Sequence, residues 1–120
     1  MTKLPRAAIK IDFGTEVRLG PGKVRLLELI AETGSISAAA RQMEMSYRRA
    51  WLLIDELNGI FAKPMVETAT GGSGGGGAQI TPFGEAVVTV FRDIEKDATK
   101  LVQMKLATLP AQRKRERRDA

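Results

Sequence analysis

Gly34-Ser-Ile-Ser-Ala-Ala-Ala-Arg-Gln-Met-Glu-Met-Ser-Tyr-Arg-Arg-Ala-Trp-Leu-Leu-Ile-Asp-Glu-Leu-Asn58 is the stretch on which the reading of this chain turns. Its pattern is two helices joined by a tight turn. Ser37 is a candidate N-cap for a helix over about residues 38–43, since a serine hydroxyl accepts from the free N–H groups of a first turn. Glu44-Met45 makes the turn, and Ser46 caps a further helix that runs to about Leu57. On that helix Ala50, Ile54 and Leu57 share one face, while Tyr47, Arg48, Trp51 and Asp55 lie on the other. The alanines at 38–40 let another helix approach closely. The second helix therefore opens with a polar, cationic tip of Ser46, Tyr47, Arg48 and Arg49. A helix needs such a tip if its first turn is to enter a DNA major groove.

Upstream, Ile9, Ile11 and Phe13 alternate with Lys10 and Asp12, the period of a strand with one buried face. Gly14-Thr15 turns the chain, Val17 and Leu19 alternate with Arg18, and a short hairpin is expected. Residues 1–7 look like a loose end. Gly20-Pro21-Gly22 breaks the hairpin, with Pro21 suited to a helical first turn. A helix then runs to about Thr33, its stripe formed by Val24, Leu26, Leu27, Ile30 and Ala31. Gly34 fits the position after the helix end, where a positive φ is cheap only for glycine.

Downstream, Asn58-Gly59 stops the cationic helix and Pro64 ends the connection. Residues 65–70 have β character. Gly71, Gly72, Ser73, Gly74, Gly75, Gly76 and Gly77 follow, and residues 78–80 resume an extended run. Strand, glycine loop and strand make a hairpin of the kind called a wing. A flexible linker would have the same composition. The glycines formally satisfy G-x-G-x-x-G, but no helix starts directly after them and no Lys-Ser or Lys-Thr follows, so no phosphate loop is indicated. Thr81-Pro82 is an N-cap followed by proline at the first helical position. A helix of about residues 82–107 would be about 40 Å long, longer than a small core needs. Phe83, Val87, Val90, Phe91, Ile94, Ala98, Leu101 and Val102 mark its apolar stripe. Val87, Val90, Phe91, Ile94 and Leu101 are the candidates for meeting a second copy in a homodimer. Asp97 and Lys105 interrupt the heptad register, so a regular coiled coil is not indicated. One domain over 1–109 and a basic, disordered tail over 110–120 are expected.

The 120 residues suffice for one core. Nineteen Lys and Arg stand against fourteen Asp and Glu, a net +5. Residues 113–119 carry +3 of that excess. A mildly basic body with a basic tail permits nucleic-acid binding without demanding it, and such a tail also serves solubility alone. With no Cys and no His, disulfides, Cys- or His-ligated metals and catalytic triads built on either residue are excluded. No apolar run reaches the ~18 residues of a membrane span, and the N-terminus lacks a signal-peptide pattern. A cytoplasmic, nucleoid-associated protein without cofactor is the expectation. Asp55-Glu56 and Asp93, Glu95 and Asp97 have the spacing of solvated helix faces, so no enzyme is expected.

Within the helix pair, Arg48 can donate two parallel bonds to guanine O6 and N7. Arg49, about 100° around the helix, suits a phosphate, as do Arg41, Ser37 and Ser46. Solvated surface charge is the commoner reading for any one of these arginines alone, and the cluster on a helix tip behind a tight turn reverses that preference. Trp51, the sole tryptophan, suits either the exposed face or core packing. The glycine wing has no Lys or Arg at its tip and is a weaker DNA reader than a basic one.

Gly34-Ser-Ile-Ser-Ala-Ala-Ala, Met45-Ser-Tyr-Arg-Arg-Ala-Trp and Thr70-Gly-Gly-Ser-Gly-Gly-Gly-Gly-Ala-Gln-Ile-Thr-Pro-Phe-Gly84 together resemble the N-terminal domain of ModE-type molybdate-responsive transcription regulators. More broadly, they resemble LysR-type winged helix-turn-helix domains. The resemblance spans about residues 9–100. It implies a mainly α fold with a little β structure, namely a winged helix-turn-helix with an N-terminal hairpin and a long C-terminal dimerisation helix. It also implies binding, as a homodimer, to palindromic double-stranded DNA. Ser46, Tyr47, Arg48, Arg49 and Trp51 would read bases and phosphates, and residues 71–77 would form the wing. Two features depart from the family. Glu44 stands where the family usually has glycine, and a left-handed conformation there would cost roughly 1 kcal/mol. The family's C-terminal molybdate-binding domains have no counterpart in these 120 residues. Two rival readings are a winged helix that docks a protein partner and a sensor that binds an oxyanion at the dimer interface.

Overall fold

The computed structural model of the protein describes residues 4–68 and 77–110. In chain order the elements are β1 (Ile11–Asp12), β2 (Arg18–Leu19), α1 (Pro21–Thr33), α2 (Ile36–Gln42), α3 (Tyr47–Asn58), β3 (Val66–Thr68), β4 (Ala78–Ile80) and α4 (Pro82–Leu106). The β1–β2 and β3–β4 pairs are antiparallel, and the second pair aligns Val66 with Ile80 and Thr68 with Ala78. This is a winged helix-turn-helix.

The core forms around α1, which touches α2, α3, α4 and β4. Being surrounded, α1 buries a broad arc of Val24, Leu26, Leu27, Leu29 and Ile30. The expected stripe was narrower and displaced, because Leu29 is buried and Ala31 is exposed. Against α1 lie Ile36, Ala39 and Ala40 of α2 and Ala50, Leu53, Ile54 and Leu57 of α3. The small alanines allow the close α1–α2–α3 packing. The helix ends follow from local chemistry. Pro21 opens α1, and Gly34 closes it at φ +68° with its N–H on the Ile30 carbonyl, 2.8 Å.

Ser35, not Ser37, caps α2. Its backbone is extended and its hydroxyl accepts from Ala38 N–H at 3.1 Å. The cap falls there because the chain leaves the left-handed Gly34 directly into an extended residue, and the helix begins at once. Ser37 sits inside the first turn. At the other end of α2, Glu44 adopts φ +55°. Met45 N–H bonds to the Ala40 carbonyl at 3.0 Å and Glu44 N–H to that of Arg41 at 3.1 Å, the paired closure of a Schellman motif. The turn thus keeps the left-handed geometry that a glycine would adopt freely, at a cost of about 1 kcal/mol.

Asn58 is a splice that sequence reasoning assigned only to stopping α3. Its Oδ1 accepts from Met65 N–H at 2.8 Å and Val66 N–H at 3.1 Å, and its Nδ2 donates to the Val66 carbonyl at 3.0 Å. The wing strands are thereby tied to the end of α3. At their other end, Ser35 bridges to Gly77, and Ala78 N–H donates to the Gly34 carbonyl at 3.1 Å. Thr81 caps α4 by accepting from Gly84 N–H at 2.9 Å while donating to the Pro64 carbonyl at 2.8 Å.

The N-terminal hairpin is shorter than the alternation predicts. Phe13 does not share the half-buried face of Ile9 and Ile11. It is exposed, with its ring set edge-on to Phe61 at 5.4 Å. Residues 5–7 are tethered rather than loose. Ala7 N–H donates to Thr99 Oγ1, and Gln103 Nε2 donates to the Pro5 carbonyl, both at 3.0 Å.

An ion cluster joins α1 to α4. Arg92 donates through Nε and Nη2 to both Glu28 oxygens at 3.0 and 2.9 Å, and through Nη1 to Glu95 at 2.7 Å. The Arg92 hydrogen bonds hold the Glu28 carboxyl below its ordinary 4.5, against the opposing effect of burial. A carboxylate with a depressed folded pKa stabilises the fold above its unfolded pKa, and the contribution is lost as pH falls through the folded value. The difference in melting temperature between the wild type and Glu28→Gln is therefore expected to be full at neutral pH and to shrink steadily below pH 4.5. Melts across that range measure it.

Candidate nucleic-acid interface

The tip of α3 stands out from the body because its cap and its inner face are satisfied separately. Ser46 Oγ accepts from Arg49 N–H at 3.0 Å, fixing the first turn. Ala50, Leu53, Ile54 and Leu57 face inward. Ser46, Tyr47, Arg48 and Arg49 are left exposed. Among the described residues, no carboxylate lies within 4.0 Å of Arg48, Arg49 or Arg41. A cation without an internal partner keeps its attraction for an external anion. The tip thus combines a helix N-terminus with two uncommitted guanidinium groups.

Trp51 takes an intermediate place. It is half-buried against the core, and its indole meets the Tyr47 ring edge-on at 6.2 Å. It acts as a wall that orients Tyr47, while Tyr47 itself stays open. Arg41 is exposed in the last turn of α2, where the helix dipole also favours a cation. Ser37 is half-buried within the first turn of α2. Of the expected wing, Gly77 is placed at the loop end of the β3–β4 pair, bridged to Ser35; Gly71, Gly72, Ser73, Gly74, Gly75 and Gly76 lie outside the described residues.

The candidate dimer residues divide. Phe91 is only 1% exposed and fills the protein's own core, so its assignment to an interface is corrected. Its neighbours on the stripe point outward, Val90 at 56% and Leu101 at 54% exposure, with Ile94 also exposed and Val87 half-buried. The error has a simple cause. A 25-residue helix laid on a small body has one apolar stripe that serves two purposes along its length, and the period of the pattern does not say where one gives way to the other. An open apolar groove of about 330 Å³ lies beside this helix, lined by Phe13, Phe61, Phe83, Val87 and Val90 among others. Phe61 links Phe13 to Phe83, edge-on at 5.4 and 5.3 Å. Among the described residues, no helix is long and apolar enough to cross a membrane.

Comparison with known proteins agrees with this geometry. MopB of Rhodobacter capsulatus, a molybdenum-pterin-binding protein, is 44% identical over 88 residues, 73% of this chain and 33% of its own. The molybdenum transport protein ModE of Azotobacter vinelandii is 39% identical over 92 residues, 77% of this chain and 33% of its own. The DNA-binding transcriptional dual regulator ModE of Escherichia coli K12 is 42% identical over 71 residues, 59% of this chain and 27% of its own. The chain spans about a third or less of the length of these curated relatives. Residues 22–85 match the model of the bacterial regulatory helix-turn-helix proteins of the LysR family, a segment that runs from the start of α1, through the α2–α3 pair and the wing, into α4. The chain belongs to the LysR family of bacterial regulatory helix-turn-helix proteins.

Proposed function

We infer that this chain is a DNA-binding transcription regulator that grips a palindromic duplex site as a homodimer. The observation that carries the reading is the exposed, Ser46-capped tip of α3, where Arg48 and Arg49 have no carboxylate within 4.0 Å among the described residues. In this reading α3 enters the major groove and Arg48 reads a guanine edge. Arg49, Arg41, Ser37 and Ser46 meet phosphates, and Tyr47 and Trp51 flank the contacted bases. Homodimerisation is supported by the exposed Val90, Ile94 and Leu101, by the half-buried Val87 and by the adjoining apolar groove. An exposed apolar patch of this kind marks an interaction surface. No catalytic role is proposed, in keeping with a family of regulators.

Sequences selected from random duplex DNA are expected to contain paired inverted half-sites. On such a site Arg48→Ala should weaken binding by about 1–3 kcal/mol and relax the preference at one base position of each half-site. Fluorescence anisotropy titrations against the selected site and its single-base variants measure both effects. Unchanged affinity together with unchanged preference would remove Arg48 from the interface.

A further inference from the structure

Beside the α3 tip, an open cleft of about 470 Å³ separates the N-terminal hairpin from the α2–α3 turn. The start of α1 forms its floor. Lys10, Arg18, Lys23 and Arg49 lie along it with a single carboxylate, Glu16. These cations are not equally committed. The Lys23 amine is held by Glu56 at 3.0 Å and the Arg18 carbonyl at 2.9 Å, and its side chain is 18% exposed. Arg18 makes a long contact of 3.4 Å to Asp12 and donates through Nη1 to the Thr15 carbonyl at 3.0 Å, yet its side chain stays 47% exposed. Lys10 and Arg49 have no carboxylate within 4.0 Å among the described residues. The Lys10 stem packs over Gly20, where an added Cβ would sit 3.2 Å from Lys10 Cγ. A side chain held by its stem keeps its ammonium at the water boundary with little further ordering cost.

We propose that this cleft is a second phosphate-binding surface, in which Lys10 and Arg18 of the hairpin and Arg49 of α3 hold the DNA backbone beside the groove that α3 enters. The proposal rests on the DNA-binding reading above and extends it to the hairpin, which lies outside the 22–85 segment shared with the family model. Two arguments favour a backbone over an isolated ion. The cleft is an open trough rather than a closed pocket, and it continues directly from Arg49, next in sequence to the base-reading candidate Arg48. Met43, Met45 and Leu53 also line the cleft, but no aromatic ring is among its lining residues for a base to stack on, so the contact positions the protein through charge without specifying sequence.

The test is the salt dependence of duplex binding for wild type, Lys10→Gln and the Lys10→Gln/Arg18→Gln pair, with melting temperatures confirming that each is folded. The slope of log K against log salt should fall by about 0.9 for the single variant and about 1.8 for the pair. Affinity should drop alike on selected and mixed duplexes, with base preference intact. A folded single variant with the wild-type slope overturns the proposal and leaves the DNA-binding reading standing. Failure of the wild type to bind any duplex overturns both. Melting in inorganic phosphate against chloride at equal ionic strength supplies the remaining arm. Phosphate-specific stabilisation that disappears in the variants while their DNA slopes stay unchanged would assign the cleft to a free oxyanion and overturn the backbone assignment.

Discussion

Phe91→Ala is expected to destabilise the fold by about 3–5 kcal/mol. The ring is 1% exposed and belongs to the same buried cluster as α1, α2 and α3. On α4 only Gly84 and Phe91 are buried, so this ring is the main apolar plug of a 25-residue helix. Removing it forfeits the transfer of the side chain out of water and leaves a cavity beside rigid neighbours. A domain of this size has only about 5–15 kcal/mol in total, so the melting temperature should drop by more than about 10 °C. Denaturant unfolding checks the magnitude. Leu52→Ala on the exposed face of α3 serves as the comparison, with an expected change of about 0.5 kcal/mol or less. A loss below about 1 kcal/mol at position 91 would mean that the ring is not sealed in the core, and would return it to the candidate dimer surface.

Gly84→Ala should be nearly as damaging, for a steric reason. A Cβ at Gly84 would collide with the Met65 carbonyl oxygen and approach Ile80 Cγ1 within 2.8 Å. That carbonyl is no flexible neighbour, because it accepts Thr81 N–H at 2.9 Å. Thr81 in turn caps α4 and bonds to the Pro64 carbonyl. One methyl group therefore pushes on the junction that seats α4 against β3 and β4. A loss of about 3 kcal/mol is expected, at the upper end of the usual range for overpacking. Gly22→Ala, in the first turn of α1, has nothing within 4 Å of the added atom. It should be neutral or stabilising by up to about 1 kcal/mol. The pair of variants, followed by denaturant unfolding, separates a steric requirement for glycine from the ordinary helix preference for alanine.

The readable features of the chain were those written in neighbouring residues. Gly34, Ser46, Thr81 and Pro82 each mark a helix boundary, and the structure places all four as read. The reason is that caps and left-handed closures are satisfied within one turn of chain. The α3 tip was readable for the same reason: its inner face and its outer cations alternate within one helix. The Ser37 cap failed because two serines flank Ile36, and only the geometry handed over by Gly34 decides between them. The left-handed Glu44 was suggested only by the glycine that the family usually has there, since no property of glutamate favours that conformation and it is held by the packing of α2 on α3.

Other features depend on residues far apart in sequence. Asn58 meets the Met65–Val66 backbone, Arg92 meets Glu28, and the N-terminal arm meets Thr99 and Gln103. No local pattern announces such pairs. The basic cleft is of this kind too, because Lys10, Arg18 and Arg49 come from separate elements.

By itself, then, the order of amino acids determined the winged helix-turn-helix, the ends of α1, α3 and α4, and the cationic face that α3 presents. Hydrophobic period and capping chemistry act over a few residues and need no knowledge of the rest of the molecule. Only the tertiary structure decided which parts of the α4 stripe are core and which are surface. It also decided why Gly84 must lack a side chain, and which of the scattered cations stand together along one cleft. Those properties belong to the distances between elements, and the distances are fixed only when the helices close around α1.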